Sequence, residues 1–89
     1  MYILTYDISN PKRLRKISDI CVRYLYRVQK SVYEGDLSKS ELFILQKKLK
    51  KEMNKNEDSI FLYFITRSSM KKKIELGIKK QDPFTILNP

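Results

Sequence analysis

Histidine is missing from this chain, and cysteine occurs once, at Cys21. These two scarcities exclude an intramolecular disulfide, a cysteine metal cluster and a zinc site of the usual kind. They also exclude catalysis by a Ser-His-Asp or Cys-His arrangement. Any metal must then be a hard cation, held by carboxylate, backbone carbonyl, water and phosphate oxygens. No apolar run approaches the length of a membrane span, and no membrane partner is expected. Asp7 interrupts the N-terminal apolar stretch and the basic segment Lys12 to Lys16 follows it. That pattern is not a signal peptide, and the expected compartment is the cytoplasm. Glycine is limited to Gly35 and Gly77. Neither builds a phosphate loop or a dinucleotide turn, and neither sits where an RNA-recognition sheet needs its glycine-aromatic motif.

Positive charge, by contrast, is plentiful. Lysine and arginine number 19 against 10 acidic residues, a net charge of +9 over 89 residues. Such an excess points to polyanionic partners, nucleic acid or an anionic membrane face. The length predicts one domain spanning residues 1–89 with a modest core, which a large interface with a second copy would extend.

Tyr2 to Asp7 is rich in β-branched and aromatic residues and predicts a strand. Asn10 suits an N-cap and Pro11 the first helical position. From there Leu14, Ile17, Ile20, Cys21, Tyr24 and Leu25 fall at helical spacing, which predicts an amphipathic helix from Pro11 to about Leu25 with Arg13, Lys16, Asp19 and Arg23 on its wet side. Arg27 to Glu34 predicts a second strand, ended by Gly35. Ser38 and Glu41 form a capping box ahead of a helix whose buried stripe is Leu42, Leu45, Leu49 and Met53. Asn54 to Asp58 is a polar turn. Ser59 to Ile65 is the most hydrophobic strand, apolar on both faces, so both faces should be covered. Ile74, Leu76 and Ile78 alternate with polar residues or glycine and predict a short fourth strand. Asp82-Pro83 breaks the chain before a last short strand, Phe84 to Leu87. Periodicity therefore yields the order β-α-β-α-β-β, with two helices on one face of an antiparallel or mixed sheet and a second subunit as the economical cover for the other.

Asp7 is the main candidate for chemistry. It ends the first strand just before a helix opens, where α/β units present ligands and where the helix N-terminus favours phosphate. Lys12, Arg13, Arg15 and Lys16 occupy the first two turns of that helix. A lone carboxylate at a strand end also serves as a turn-former or cap. One carboxylate is a thin magnesium site, which a two-fold dimer would complete with a second Asp7. Arg27 would point at the same polar edge, or pair with a surface carboxylate. The run Lys47, Lys48, Lys50, Lys51 reads as a solvated helix face. Tyr6 and Tyr33 read as sheet packing rather than base-stacking platforms.

Two elements carry a resemblance. The first is Tyr2-Ile-Leu-Thr-Tyr-Asp-Ile-Ser9, followed by the basic helix. The second is Arg27-Val-Gln-Lys-Ser-Val-Tyr-Glu-Gly35, followed by Leu37, Ser38, the lysine-rich helix and Asp58-Ser-Ile-Phe-Leu-Tyr63. In this order, over nearly the whole chain, they resemble the second CRISPR-associated protein family, the small endoribonuclease-fold subunit of the spacer-acquisition machinery. Gly77 after Ile74-Glu-Leu fits that family's late strand. Thr66-Arg-Ser-Ser69 stands where the family often has a cysteine pair.

The resemblance implies an α+β, ferredoxin-like sandwich with a mainly antiparallel sheet, a core over 1–80, and a homodimer formed through the sheet's other face. Residues 81–89 would supply a C-terminal strand that reaches the partner subunit. It implies adaptation chemistry: duplex protospacer DNA, a CRISPR integrase subunit as partner, and a magnesium-dependent endonuclease acting on DNA or single-stranded RNA through Asp7. Lys12, Arg13, Arg15, Lys16 and Arg27 would contact nucleic acid. The competing readings are a purely structural DNA scaffold and a stand-alone toxin-like endoribonuclease.

Overall fold

The computed structural model describes residues 1–70 and 73–78. Its elements run β1 (Tyr2–Asp7), α1 (Pro11–Tyr24), β2 (Tyr26–Gln29), β3 (Val32–Gly35), α2 (Lys39–Glu52) and β4 (Ser59–Phe64). All strand pairs are antiparallel, and the sheet order is β2-β3-β1-β4. That is the ferredoxin-like βαββαβ arrangement, an α+β fold with β1 hydrogen-bonded on both sides.

The helix ends follow from their caps. The side chain of Asn10 accepts the Arg13 amide at 3.0 Å, and Pro11, which has no amide hydrogen to satisfy, opens α1. At α2 both halves of the capping box close: the Glu41 amide donates to Ser38 Oγ at 3.1 Å, and the Ser38 amide donates to Glu41 Oε1 at 2.9 Å.

The segment Arg27 to Glu34, expected as one strand, is a hairpin of β2 and β3. The turn at Lys30 and Ser31 carries none of the glycine, asparagine or aspartate signals that mark tight hairpins, and no non-glycine residue among those described has a positive φ. A register shift between Arg27 and Gln29, which leaves Val28 as the extra residue, bends β2 there. Continuous β-formers on both sides of the turn hide it. With the hairpin counted as two strands, the expected order through residue 64 becomes the observed one.

The core lies between the helices and one sheet face. Leu4 and Tyr6 of β1, Tyr33 of β3, Ile17 and Cys21 of α1, and Leu45 and Leu49 of α2 are buried together, with Ile60 and Leu62 packed against them. Gly35 leaves room where β3 passes Leu25: an added Cβ would stand 3.0 Å from Leu25 Cδ2, a tight contact that the leucine side chain would have to relieve.

The opposite face is covered at β3, where Glu34 is buried beside Lys73, and open at β4. There Phe61 and Tyr63, expected to be covered, remain 57 % and 52 % exposed in the single chain. Residues 74–78 do not form the expected strand; they take no ladder position, Gly77 has φ 89°, and Ile74, Leu76 and Ile78 are exposed. Lys73 Nζ lies 3.5 Å from both Glu34 and Glu75 and holds this segment beside β3. The strand expected at Phe84 to Leu87, and the rest of 81–89, lie outside the described residues.

Leu45 is fully buried at the centre of this core. Leu45→Ala removes three carbons from a close-packed site, and chemical denaturation should show a loss of about 3 kcal/mol.

Candidate nucleic-acid and metal site

Strand alternation decides where Asp7 points. Leu4 and Tyr6 face the helices, so Ile3, Thr5 and Asp7 belong to the open face. Asp7 is the last residue of β1, exposed and paired in register with Ser59 of β4. It borders an open groove of about 850 Å³ whose other walls include Tyr6, Leu14, Arg27, Lys30 and Ser31. The structure thus brings Asp7 and Arg27 to one groove, together with the β2–β3 turn, which sequence reasoning missed.

The turn is held from below. Lys30 carbonyl oxygen accepts from Arg27 Nη2 at 2.8 Å and from the Tyr6 hydroxyl at 3.2 Å. The Tyr6 hydroxyl lies 3.1 Å from that of Tyr33, which lies 3.0 Å from Ser18 Oγ. A carbonyl cannot donate and each hydroxyl has one proton, so the chain has one direction: Ser18 donates to Tyr33, Tyr33 to Tyr6, and Tyr6 to the Lys30 carbonyl. The Arg27 guanidinium also lies over the Tyr33 ring, 5.9 Å from its centroid. The two tyrosines are packing residues, as expected, and their hydroxyls fix the groove's far wall.

The basic residues of α1 divide into two sets. Lys12 and Arg15 are exposed and make no ion pair among the described residues. Lys16 is exposed and stands 3.8 Å from Glu52. Arg13, expected on the wet side with them, is turned inward. Its Nε donates to Asp58 Oδ2 at 2.8 Å, and its Nη2 donates to Asp58 Oδ1 at 3.2 Å and to Glu57 Oε2 at 2.7 Å. The Arg13 fork, followed by the Asn54 amide, holds the Asp58 carboxyl below the usual carboxylate range. No sequence signal joins residues so far apart in the chain.

The acidic residues are nearly all engaged. Glu57 and Asp58 hold Arg13, Asp36 holds Arg67 and the terminal ammonium, Glu34 and Glu75 hold Lys73, Glu52 faces Lys16, and Glu41 caps α2. Among the described residues, Asp7 and Asp19 alone keep their carboxylates out of any ion pair or hydrogen bond. No three acidic or thiol groups among the described residues converge into a complete cation cage. An exposed carboxylate with open solvent beside it fits a hard cation that keeps waters and takes its remaining oxygens from a second chain or a phosphate.

Burial first, and then the Tyr33 hydroxyl, push the Tyr6 phenol up to about 12 from its ordinary value near 10. The protonated form is favoured in the fold, so this contribution to stability is complete below pH 10 and is lost as pH rises through about 12. Burial pushes the Cys21 thiol up to about 12 as well, adding to the same alkaline loss. Tyrosinate absorbance should show a late-ionising phenol in the folded protein, and Tyr6→Phe should remove it and flatten the loss of stability above pH 10.

Comparison with known proteins bears on the family and the fold. The family model described as CRISPR associated protein Cas2 matches residues 1–73. A protein of Synechocystis sp. named CRISPR-associated endoribonuclease Cas2 3 is 43% identical over 63 residues, covering 71% of this chain and 68% of that protein. One of the same name from Thermodesulfovibrio yellowstonii is 34% identical over 85 residues, 96% of each chain. The crystal structure of Streptococcus pyogenes Cas2 superposes with a TM-score of 0.77 at 32% identity, covering 86% of this chain and all of that one. Match length, identity and fold coincide, and the chain belongs to the CRISPR associated protein Cas2 family.

Proposed function

We propose that this chain is a spacer-acquisition subunit that binds duplex DNA as a cytoplasmic homodimer beside a CRISPR integrase subunit, and that it cleaves phosphodiesters with magnesium. The observation that carries the nuclease part is Asp7: an exposed carboxylate at the end of β1 on the open sheet face, bordering a groove that Arg27 also lines. The endoribonuclease names of its relatives support the same reaction class.

The dimer follows from the uncovered face. Phe61 and Tyr63 lie on it, and Ile74 and Leu76 are exposed beside it. A second copy with its own open face turned inward would bury them and bring two Asp7 carboxylates toward one two-fold axis. Two such carboxylates would hold one Mg2+, which when bound supplies a Lewis acid beside the scissile phosphate. Arg27, fixed by the Lys30 carbonyl and the Tyr33 ring on the helix side of the sheet end, would meet the nucleic-acid backbone beside the groove that Asp7 borders. Lys12, Arg15 and Lys16 would meet neighbouring phosphates of DNA, or of single-stranded RNA, without reading sequence.

A second reading, the non-catalytic DNA scaffold, draws support from the single carboxylate per groove: the same cations bind the backbone whether or not a metal enters.

Sedimentation at micromolar concentration should give twice the chain mass, and Phe61→Asp should return the monomer; a monomeric parent protein would remove the shared site. Asp7→Asn keeps shape and removes the charge a hard cation requires. It should abolish magnesium-dependent cleavage while duplex affinity stays equal or rises slightly in metal-free buffer. Cleavage at the parent rate would place the chemistry elsewhere, whereas a parent that never cleaves yet supports spacer insertion would leave the scaffold reading.

A further inference from the structure

We propose that Arg13 is a positioning residue that locks the segment from Asp7 to the first turn of α1, and that it is not one of the cations that contacts nucleic acid. The proposal deepens the reading given above and rests on it only for its cleavage arm.

Asp58 immediately precedes Ser59, the register partner of Asp7. Arg13 lies in the first turn of α1, three residues past the Asn10 cap, and its own amide donates to the Asn10 side chain at 3.0 Å. The contacts close a ring. The chain runs from Asp7 through residues 8–10 into α1, the Arg13 side chain crosses to Asp58, and the β1–β4 ladder returns to Asp7. The short connection that leaves Asp7 is therefore tied at both ends. Among the described residues, the contacts that would still hold it without the Arg13 fork are the Asn10 cap and the burial of Ile8.

The Nε–Nη2 edge of the guanidinium is already occupied. Asp58 is fully enclosed and its Oδ2 also accepts the Asn54 amide at 2.8 Å, so the carboxylate cannot turn away to release the guanidinium. Both Nη2 hydrogens and the Nε hydrogen are used, and two carboxylates cancel the positive charge toward an approaching phosphate. Lys12 and Arg15, exposed and unneutralised among the described residues, meet that phosphate first. Lysine at position 13 would keep a charge but lose the planar fork that spans both carboxylates.

The test compares Arg13→Lys, Arg15→Gln and the neutral pair Arg13→Gln with Asp58→Asn, which leaves no enclosed charge unmatched if the single variant does not fold. In duplex binding across a salt series, Arg15→Gln should lower the slope of log affinity against log salt by about 1 per lost contact, while the position-13 variants leave it unchanged. Amide exchange should rise about ten-fold between Asp7 and Leu14 in Arg13→Lys and stay at the parent level around Leu45. In cleavage, the Mg2+ concentration for half-maximal rate should rise about ten-fold, the size seen when a group supporting a metal ligand is lost. A salt slope that falls as far as in Arg15→Gln overturns the proposal, and so does unchanged exchange between Asp7 and Leu14. If the parent neither cleaves nor binds duplex, the nuclease or DNA reading fails, and the exchange measurement still decides the role of Arg13.

Discussion

The alternation of side chains along β1 governs both the core and the candidate site. This strand is central, with β3 on one side and β4 on the other, so its register is fixed along its length. Leu4 and Tyr6 must face the helices, because their side chains fill the space between α1, α2 and the sheet. A strand whose even positions are buried delivers its odd positions to the other face. Asp7 therefore leaves the sheet on the side that no helix covers, next to the face whose apolar residues remain open. A one-residue slip would bury the carboxylate and expose Leu4 and Tyr6, and the cost of both errors pins the register.

Charge reinforces this arrangement. The chain carries a large basic excess, yet most carboxylates among the described residues are engaged in specific internal contacts: holding Arg13, capping α2 and anchoring the segment at Lys73. Asp7 takes no part in those contacts and lies in a groove with Arg27. A carboxylate left free on the rim of a basic protein repels the polyanion that the rest of the surface attracts. A divalent cation between carboxylate and phosphate reverses that repulsion, which is the physical reason to look for metal at this position.

Much of this is legible in the amino-acid sequence. The bounds of β1 follow from the β-formers that stop at Asp7, the start of α1 from Asn10-Pro11, and the start of α2 from Ser38 and Glu41, because each signal is local chemistry. The hairpin is not legible: Lys30 and Ser31 turn the chain without a left-handed residue, and Val28 absorbs the mismatch as a bulge. The inward turn of Arg13 is also hidden, since helical spacing puts it on the wet side and its carboxylate partners come from the turn before β4. The tyrosine relay beneath the groove is invisible for the same reason: it joins β1, α1 and β3, and only the fold brings them together.

In the proposed site, Asp7 would hold one divalent cation in common with its symmetry mate. Manganese, which reports its own binding by paramagnetic resonance, measures this directly as a stoichiometry. One Mn2+ per two chains is expected in the parent protein and none at this site in Asp7→Asn, with both proteins dimeric. One Mn2+ per chain, or binding that survives Asp7→Asn, would contradict it.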